Sequence, residues 1–204
     1  PTDRTLRDFL TDSAGFHLAL APSFFGFYGY FGVLAAWQEG IDAAILSPGK
    51  THSVAGASAG AMAAILIAAG IKPRRAADFV ANMTLGKFAD YPAVGAFLRG
   101  NKFEQIMFDF LRSEQPDMSL LLQDSILPVA VTAFDLQTME GKILSSGSMA
   151  RAARASATFP VLFQPVGWKG NVTNGEDYIL IDGGVSDCAG VDGLQILFRP
   201  DQLK

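Results

Sequence analysis

A short apolar run ending at Ala55 feeds the pentapeptide Gly56-Ala57-Ser58-Ala59-Gly60, and a small-residue helical pattern, Ala61 to Ala69, leaves it. Strand, tight turn and helix in that order form the setting in which a serine is held on a strained elbow with its hydroxyl exposed. Such a turn forces the residues two before and two after the serine past one another, so both must be small. Gly56 and Gly60 occupy those places. The feature points to an α/β chain and makes Ser58 a candidate nucleophile. The same pentapeptide also suits a glycine-rich turn in an Ala/Gly-rich core, with Ser58 only capping the helix.

The rest of the chain supports an alternation of strands and helices. Phe16 to Ala21 reads as the first buried strand, followed by an aromatic turn, Pro22 to Tyr28, and a helix, Tyr30 to Gln38, closed by Gly40. Lys72 to Met83 and Asn101 to Glu114 have helical spacing, the second with Phe103, Ile106, Met107, Phe110 and Leu111 on one face. Ile126 to Phe134 is the clearest β run, with Gly141 to Ser145 as its expected partner. Met149 to Ala155 is a short helix carrying Arg151 and Arg154, Phe159 to Val166 is a loop with two prolines, and the strand Tyr178 to Ile181 runs into Asp182-Gly183-Gly184. These elements predict a three-layer α/β/α sandwich with a mostly parallel central sheet, one domain over residues 1–204. In such sheets ligands lie beyond the carboxyl ends of the strands, and Ser58 and Asp182 each follow an apolar strand.

Charge and cysteine content exclude several function classes. The net charge of −4 comes with no basic stripe, so no nucleic-acid partner is expected. The single cysteine, Cys188, excludes an internal disulfide, and no Cys/His cluster has metal-ligand spacing, so neither metal nor cofactor is expected. Two uncharged stretches, Ser13 to Gln38 and Thr51 to Ile71, are long enough for membrane spans. Each is broken mid-span, by Pro22, Gly26 and Gly29 or by Gly56 and Gly60, and each reads better as strand, turn and helix. No signal peptide or transmembrane helix is evident, which predicts a cytoplasmic or peripherally membrane-bound protein. Pro1 is not a native start, so processing or trimming of the N-terminus stays open. Oligomeric state stays open as well.

A serine hydroxyl needs a base to become a nucleophile. The chain has two histidines, His17 and His52, and both precede Ser58. At about 3.3 Å per residue, a straight strand puts His52 roughly 20 Å from Ser58. A Ser-His-Asp triad within this chain is therefore disfavoured, and a carboxylate held directly against the serine remains. Asp182 ends a buried strand and is followed by two glycines that permit close backbone approach. Asp135, after the strand ending at Phe134, is its rival, with a turn or cap in Asp135-Leu136-Gln137-Thr138 as the plainer role.

At these residues the chain resembles the patatin-like phospholipases. Gly56-Ala57-Ser58-Ala59-Gly60 is similar to the family's nucleophile motif, and Asp182-Gly183-Gly184 to its Asp-Gly-Gly signature. Ala155 to Val166 resembles the family's Ala-Ser-x-x-x-Pro-x-x-Phe-x-Pro segment, Val131 to Asp135 the strand end before it, and Gly32-Val33-Leu34 the first helix. The likeness runs from about Phe16 to Val185. It implies a patatin-like fold and a Ser58–Asp182 dyad acting on lipid acyl esters through an acyl-enzyme, with no histidine and no required metal.

One departure bears on activity. The family places a glycine run after the first strand, whose amides stabilise the oxyanion; here Pro22, Ser23 and Phe24 stand there, followed by Phe25 and Gly26. Pro22 has no N–H to donate. Ser23, Phe24 and Gly26 become the expected oxyanion-hole residues, with the Ala59 amide a weaker candidate. The family's basic residue in this loop has no equivalent, which leaves Arg151 and Arg154 as alternative phosphate contacts or as a solvated helix face. The aromatic cluster from Phe24 to Phe31 reads either as an acyl pocket or bilayer contact or as core packing. The altered loop keeps alive a second reading, a catalytically silent module that binds lipid or protein. A third, a conventional triad, would need a histidine from a C-terminal segment missing here, since the chain after Gly184 is short for the family.

Overall fold

The structure, a computed structural model, describes residues 5–24, 26–91, 94–169 and 177–198, with the backbone alone at Phe27. In chain order the elements are α1 (Leu6–Leu10), β1 (Phe16–Leu20), α2 (Phe27–Gly40), β2 (Thr51–Ala57), α3 (Ala59–Ala68), α4 (Pro73–Ala81), α5 (Leu85–Phe88) and α6 (Asn101–Glu114). Then follow β3 (Val129–Asp135), β4 (Glu140–Leu144), α7 (Met149–Ser156), β5 (Val166–Lys169), β6 (Asp177–Asp182) and α8 (Leu194–Leu197).

Among the described residues, six strands form one sheet in the order β1-β2-β3-β6-β5, with β4 also on β3. β1, β2 and β3 are mutually parallel, and β6 is antiparallel to β3 and to β5. Because β5 reverses β6, it points the same way as β1 to β3, so the sheet is mixed but its strands mostly share one direction. β2 is buried along nearly its whole length, as expected of a parallel strand covered on both faces. α3 is buried all round, every residue from Ala59 to Ala68, which explains its lack of any polar face. Gly56 faces the start of α3, so Ala55, pointing the other way along the pleat, meets Gly193 at the start of α8. Helices thus cover both faces, as the strand–helix alternation predicts. Among the described residues, no helix is long and apolar enough to cross a membrane.

Several boundaries differ from the sequence expectations. α2 begins at Phe27 rather than Tyr30, and Gly40 is its last residue rather than its cap, which falls to Ile41. β5 is not legible in sequence because four residues, Val-Gly-Trp-Lys, carry too little period to separate from the preceding loop. The largest difference concerns β6. It is antiparallel to β3, so the mostly parallel sheet carries Asp182 on one of its reversed strands.

The register shows what happens instead. β4 occupies one edge of β3 from Val131 to Asp135. β2 pairs with Val129 to Thr132, and β6 with Ala133 to Asp135. A strand has only two edges, so β2 and β6 must share the edge that β4 leaves free, one after the other. They run toward each other along it: β2 ends with Ala57 opposite Thr132, and β6 ends with Asp182 opposite Ala133. Two carboxyl termini therefore collide at one point on β3.

Candidate active site

Ser58 follows β2 directly and has φ 54° and ψ −124°, a conformation that costs a non-glycine residue on the order of 1–3 kcal/mol. The elbow is held from both sides. A side chain at Gly56 would overlap the Gly60 carbonyl, and one at Gly60 would overlap the Leu20 carbonyl at the end of β1. Gly56 and Gly60 therefore stand where the sequence reading puts them, although Gly60 is selected by β1 as much as by Gly56.

At the collision point the Ser58 hydroxyl donates to Asp182 Oδ2 at 2.7 Å. The other carboxylate oxygen, Oδ1, accepts from the Gly184 amide at 2.8 Å, and the Asp182 amide donates to the Thr158 carbonyl at 2.9 Å. The carboxylate is thus fixed at both ends. Asp182 is 5% exposed. Burial raises its pKa above the ordinary carboxylate value, and the bonds from Ser58 and Gly184 offset only part of that. A carboxylate so placed is a stronger base than one in water. Gly183 passes so close to the Thr132 carbonyl that a side chain would overlap it.

Ser156 falls within the Ala155 to Val166 segment, where the sequence alone points to no role for it. Its hydroxyl accepts from the Ser58 amide at 2.9 Å and donates to the Thr132 carbonyl at 2.6 Å. It ties the elbow to β3 at the junction of β2 and β6, and it is fully buried. Because the Ser58 amide is spent on this bond, the free donor next to the nucleophile is Ala59 N–H. That amide is the first of α3 and has no intrahelical acceptor, at the positive end of the helix. Ser156→Ala leaves the Thr132 carbonyl and the Ser58 amide without this partner. The expected loss is about 1–3 kcal/mol of stability by thermal or denaturant unfolding. If turnover of a soluble ester does not fall beyond what that instability explains, Ser156 does not position the nucleophile.

Ser58 and Asp182 lie at the floor of a cleft of about 330 Å³, with Pro22, Ser23, Phe24, Phe159, Pro160, Gly184 and Val185 on its walls. Two of the three expected oxyanion residues, Ser23 and Phe24, are on this wall. Gly26 is not; it precedes α2, and its carbonyl accepts from Gly29 N–H. Phe25 lies outside the described residues. The Tyr30 hydroxyl donates to the Ala21 carbonyl and also bonds Ser23, tethering this loop to α2. A larger concavity, about 650 Å³ beside Trp168 and Tyr178, contains neither Ser58 nor Asp182.

The other sequence candidates are accounted for elsewhere. Asp135 is fully buried and accepts from Ile179 N, Thr138 N and the Thr138 hydroxyl. Burial raises its pKa, but these bonds outweigh it and hold the carboxyl below the usual range. It fastens β6 and the β3–β4 turn. Arg154 is neither a solvated residue nor a cleft residue. It is buried, bonded to Asn101, Glu104 and the Arg99 carbonyl, and so it joins α7 to α6. Arg151 bonds the Gly167 carbonyl outside the cleft. His17 hydrogen-bonds Ser53 and His52 bonds the Ala14 carbonyl, both near the starts of β1 and β2. Among the described residues, no group of three or more His, Cys, Asp or Glu side chains is placed to hold a metal ion.

Comparison with known proteins agrees with this fold. A family model described as patatin-like phospholipase matches residues 25–194. Among solved structures, VipD from Legionella pneumophila is similar over 85% of this chain and 46% of that one, with a TM-score of 0.60 and 17% identity. The chain thus spans about half the length of that structure, and at this identity the likeness speaks to the fold.

Proposed function

The chain belongs to the patatin-like phospholipase family, and from that premise we propose that it is a serine-dependent hydrolase of lipid acyl esters working through a Ser58–Asp182 dyad. The observation that carries the reading is the 2.7 Å bond from the Ser58 hydroxyl to Asp182, made at a strained elbow on the floor of an apolar cleft. The single domain taken for this chemistry is the whole of residues 1–204.

In the first half-reaction Ser58 Oγ attacks the ester carbonyl while Asp182 Oδ2 takes its proton. Negative charge gathers on the carbonyl oxygen, where the Ala59 amide and loop amides at Ser23 and Phe24 would meet it. Each such donor contributes about 3–4 kcal/mol. The intermediate collapses, Asp182 returns the proton to the departing alkoxide, and the acyl group remains on Ser58. Water then attacks the acyl-enzyme, again losing a proton to Asp182, and the fatty acid leaves. No step draws on a histidine or a metal. Phospholipids and related lipid esters are the substrates this reading names, with the exposed rim of the cleft in contact with lipid.

The proton-accepting role makes the pH profile a direct check. Asp182 must be ionised, and burial lifts its pKa above 3.8. The acid limb of kcat/KM is therefore expected above that value, with activity rising as pH rises through it. A profile flat down to the ordinary carboxylate range removes Asp182 as the base.

Pro22, which has no amide to offer, favours the second reading, a silent lipid- or protein-binding module. A fluorophosphonate probe separates the two. Stoichiometric labelling of Ser58, with an initial burst on a p-nitrophenyl acyl ester, supports the hydrolase; an unlabelled Ser58 in folded protein supports the silent module.

A further inference from the structure

Three stretches, residues 22–37 and 155–167, which supply walls of the Ser58 cleft, and 91–98, contain no Asp, Glu, Lys or Arg, although 18% of the whole chain is charged. Described residues of all three are also joined in space. Phe24 and Phe159 face each other on the cleft wall, ring centroids 5.0 Å apart. Past Phe159 the loop reaches Val161, whose carbonyl accepts from Phe97 N–H at 3.0 Å, and Leu98 N–H donates to the Leu162 carbonyl at 2.8 Å. Those bonds fasten the two loops into one surface. Phe97 is 65% exposed and Val161 68%, and Val185, also exposed, stands on the cleft wall. An apolar band thus runs outward from the mouth of the cleft.

Val161 adds a second observation. Its φ is 70°, in the left-handed region where a β-branched residue is strained and where Gly or Asn would rest. A strained backbone is the usual mark of a constrained functional surface, and this one turns an apolar side chain to solvent.

We infer that this band is the face by which the protein settles on a lipid surface of net-neutral, zwitterionic headgroups, with Phe97 and Val161 inserted beside the cleft. The inference rests on the acyl-hydrolase reading for what then enters the cleft. Charge decides the kind of surface. The band has no lysine or arginine to draw it to anionic lipid, and the chain carries a net charge of −4, so an anionic surface repels it. A neutral interface imposes no such repulsion and rewards the apolar side chains. Ser58 then faces lipid rather than bulk water.

The test uses the Ser58→Ala protein, so that binding is read without turnover, in sedimentation with phosphatidylcholine vesicles and with phosphatidylserine-rich vesicles. Preferential partitioning onto phosphatidylcholine is expected. Val161→Asn and Phe97→Asn are each expected to lower it by about tenfold, the worth of one apolar side chain leaving a lipid interface. Thermal unfolding checks that both variants fold, since Asn accepts the Val161 conformation. In a Ser58 background, neither variant should alter hydrolysis of a short soluble p-nitrophenyl ester, while hydrolysis of vesicle lipid falls with binding. Three results overturn the proposal: undiminished partitioning of the double variant, salt-sensitive binding to phosphatidylserine alone, or a vesicle-free dimer that the same variants abolish. Absent soluble-ester hydrolysis with intact, variant-sensitive partitioning removes the hydrolase reading and leaves the docking face standing.

Discussion

Ser58→Ala is expected to lower kcat on a soluble acyl ester by a factor on the order of 10⁴–10⁶, with substrate affinity little changed. The cleft walls, Phe24 and Phe159 among them, remain, so binding persists while the attacking oxygen is gone. Asp182→Asn should come close to the same loss, because the Ser58 hydroxyl then has no base within reach, and the double variant should be no worse than either single one. Activity surviving in either variant at more than about a hundredth of the parent level would sink the dyad.

The two substitutions should part company in stability. Folding raises the pKa of Asp182, so the folded chain holds that proton more tightly than the unfolded chain. Stability from this group is fully present below the unfolded value, and it declines as pH rises from there through the raised one. At neutral pH the buried carboxylate is therefore a burden, and Asp182→Asn is expected to melt no lower than the parent. A Tm well below the parent would show that the carboxylate's bonds to Ser58 and Gly184 outweigh the cost of burying it.

Gly60→Ala should do to the fold what Ser58→Ala does to the chemistry. Its methyl would overlap the carbonyls of Leu20 and Ala21, backbone atoms at and just past the end of β1, which its parallel ladder holds along β2. Either β1 moves away from β2 or α3 lifts off the sheet. A cost of at least about 4 kcal/mol is expected, against a total of about 5–15 kcal/mol for a typical domain. That corresponds to a fall in Tm of about 8–16 °C. Gly32→Ala is the control. Gly32 is an exposed helical position with open space around it, and alanine there should add about 0.5–1 kcal/mol. Equal melting of the two variants would mean that the approach at Gly60 is looser than the structure has it.

Much of the site is legible in the residues, for identifiable reasons. The elbow is local: strand, turn and helix occupy consecutive positions, so Ser58 could be placed from its neighbours. α6 spans Asn101–Glu114 as its apolar spacing predicts, since one face of a surface helix writes itself into the sequence. The shortage of histidines is a matter of counting, and it led to a carboxylate. What could not be read depends on partners distant in the chain. The direction of β6 is fixed by Ala133 to Asp135, and an apolar strand looks alike whichever way it runs. Arg154 is buried because Asn101 and Glu104 come to meet it, and nothing around Arg154 announces them. The place of Gly26 outside the cleft lining depends on the path of the loop after β1, which has no period to read in the sequence.

The head-on meeting of β2 and β6 has a temporal consequence. A growing chain that has reached Lys169 already contains the elbow, the whole of β3 and most of the cleft wall, but no base for its serine. Closing a loop between Ser58 and Asp182, 124 positions apart, comes late, and only after the end of β3 is formed for β6 to pair with. On the proposed dyad, ester hydrolysis is thus a clock for the completion of folding. In a refolding experiment, catalytic activity should be the final signal to return.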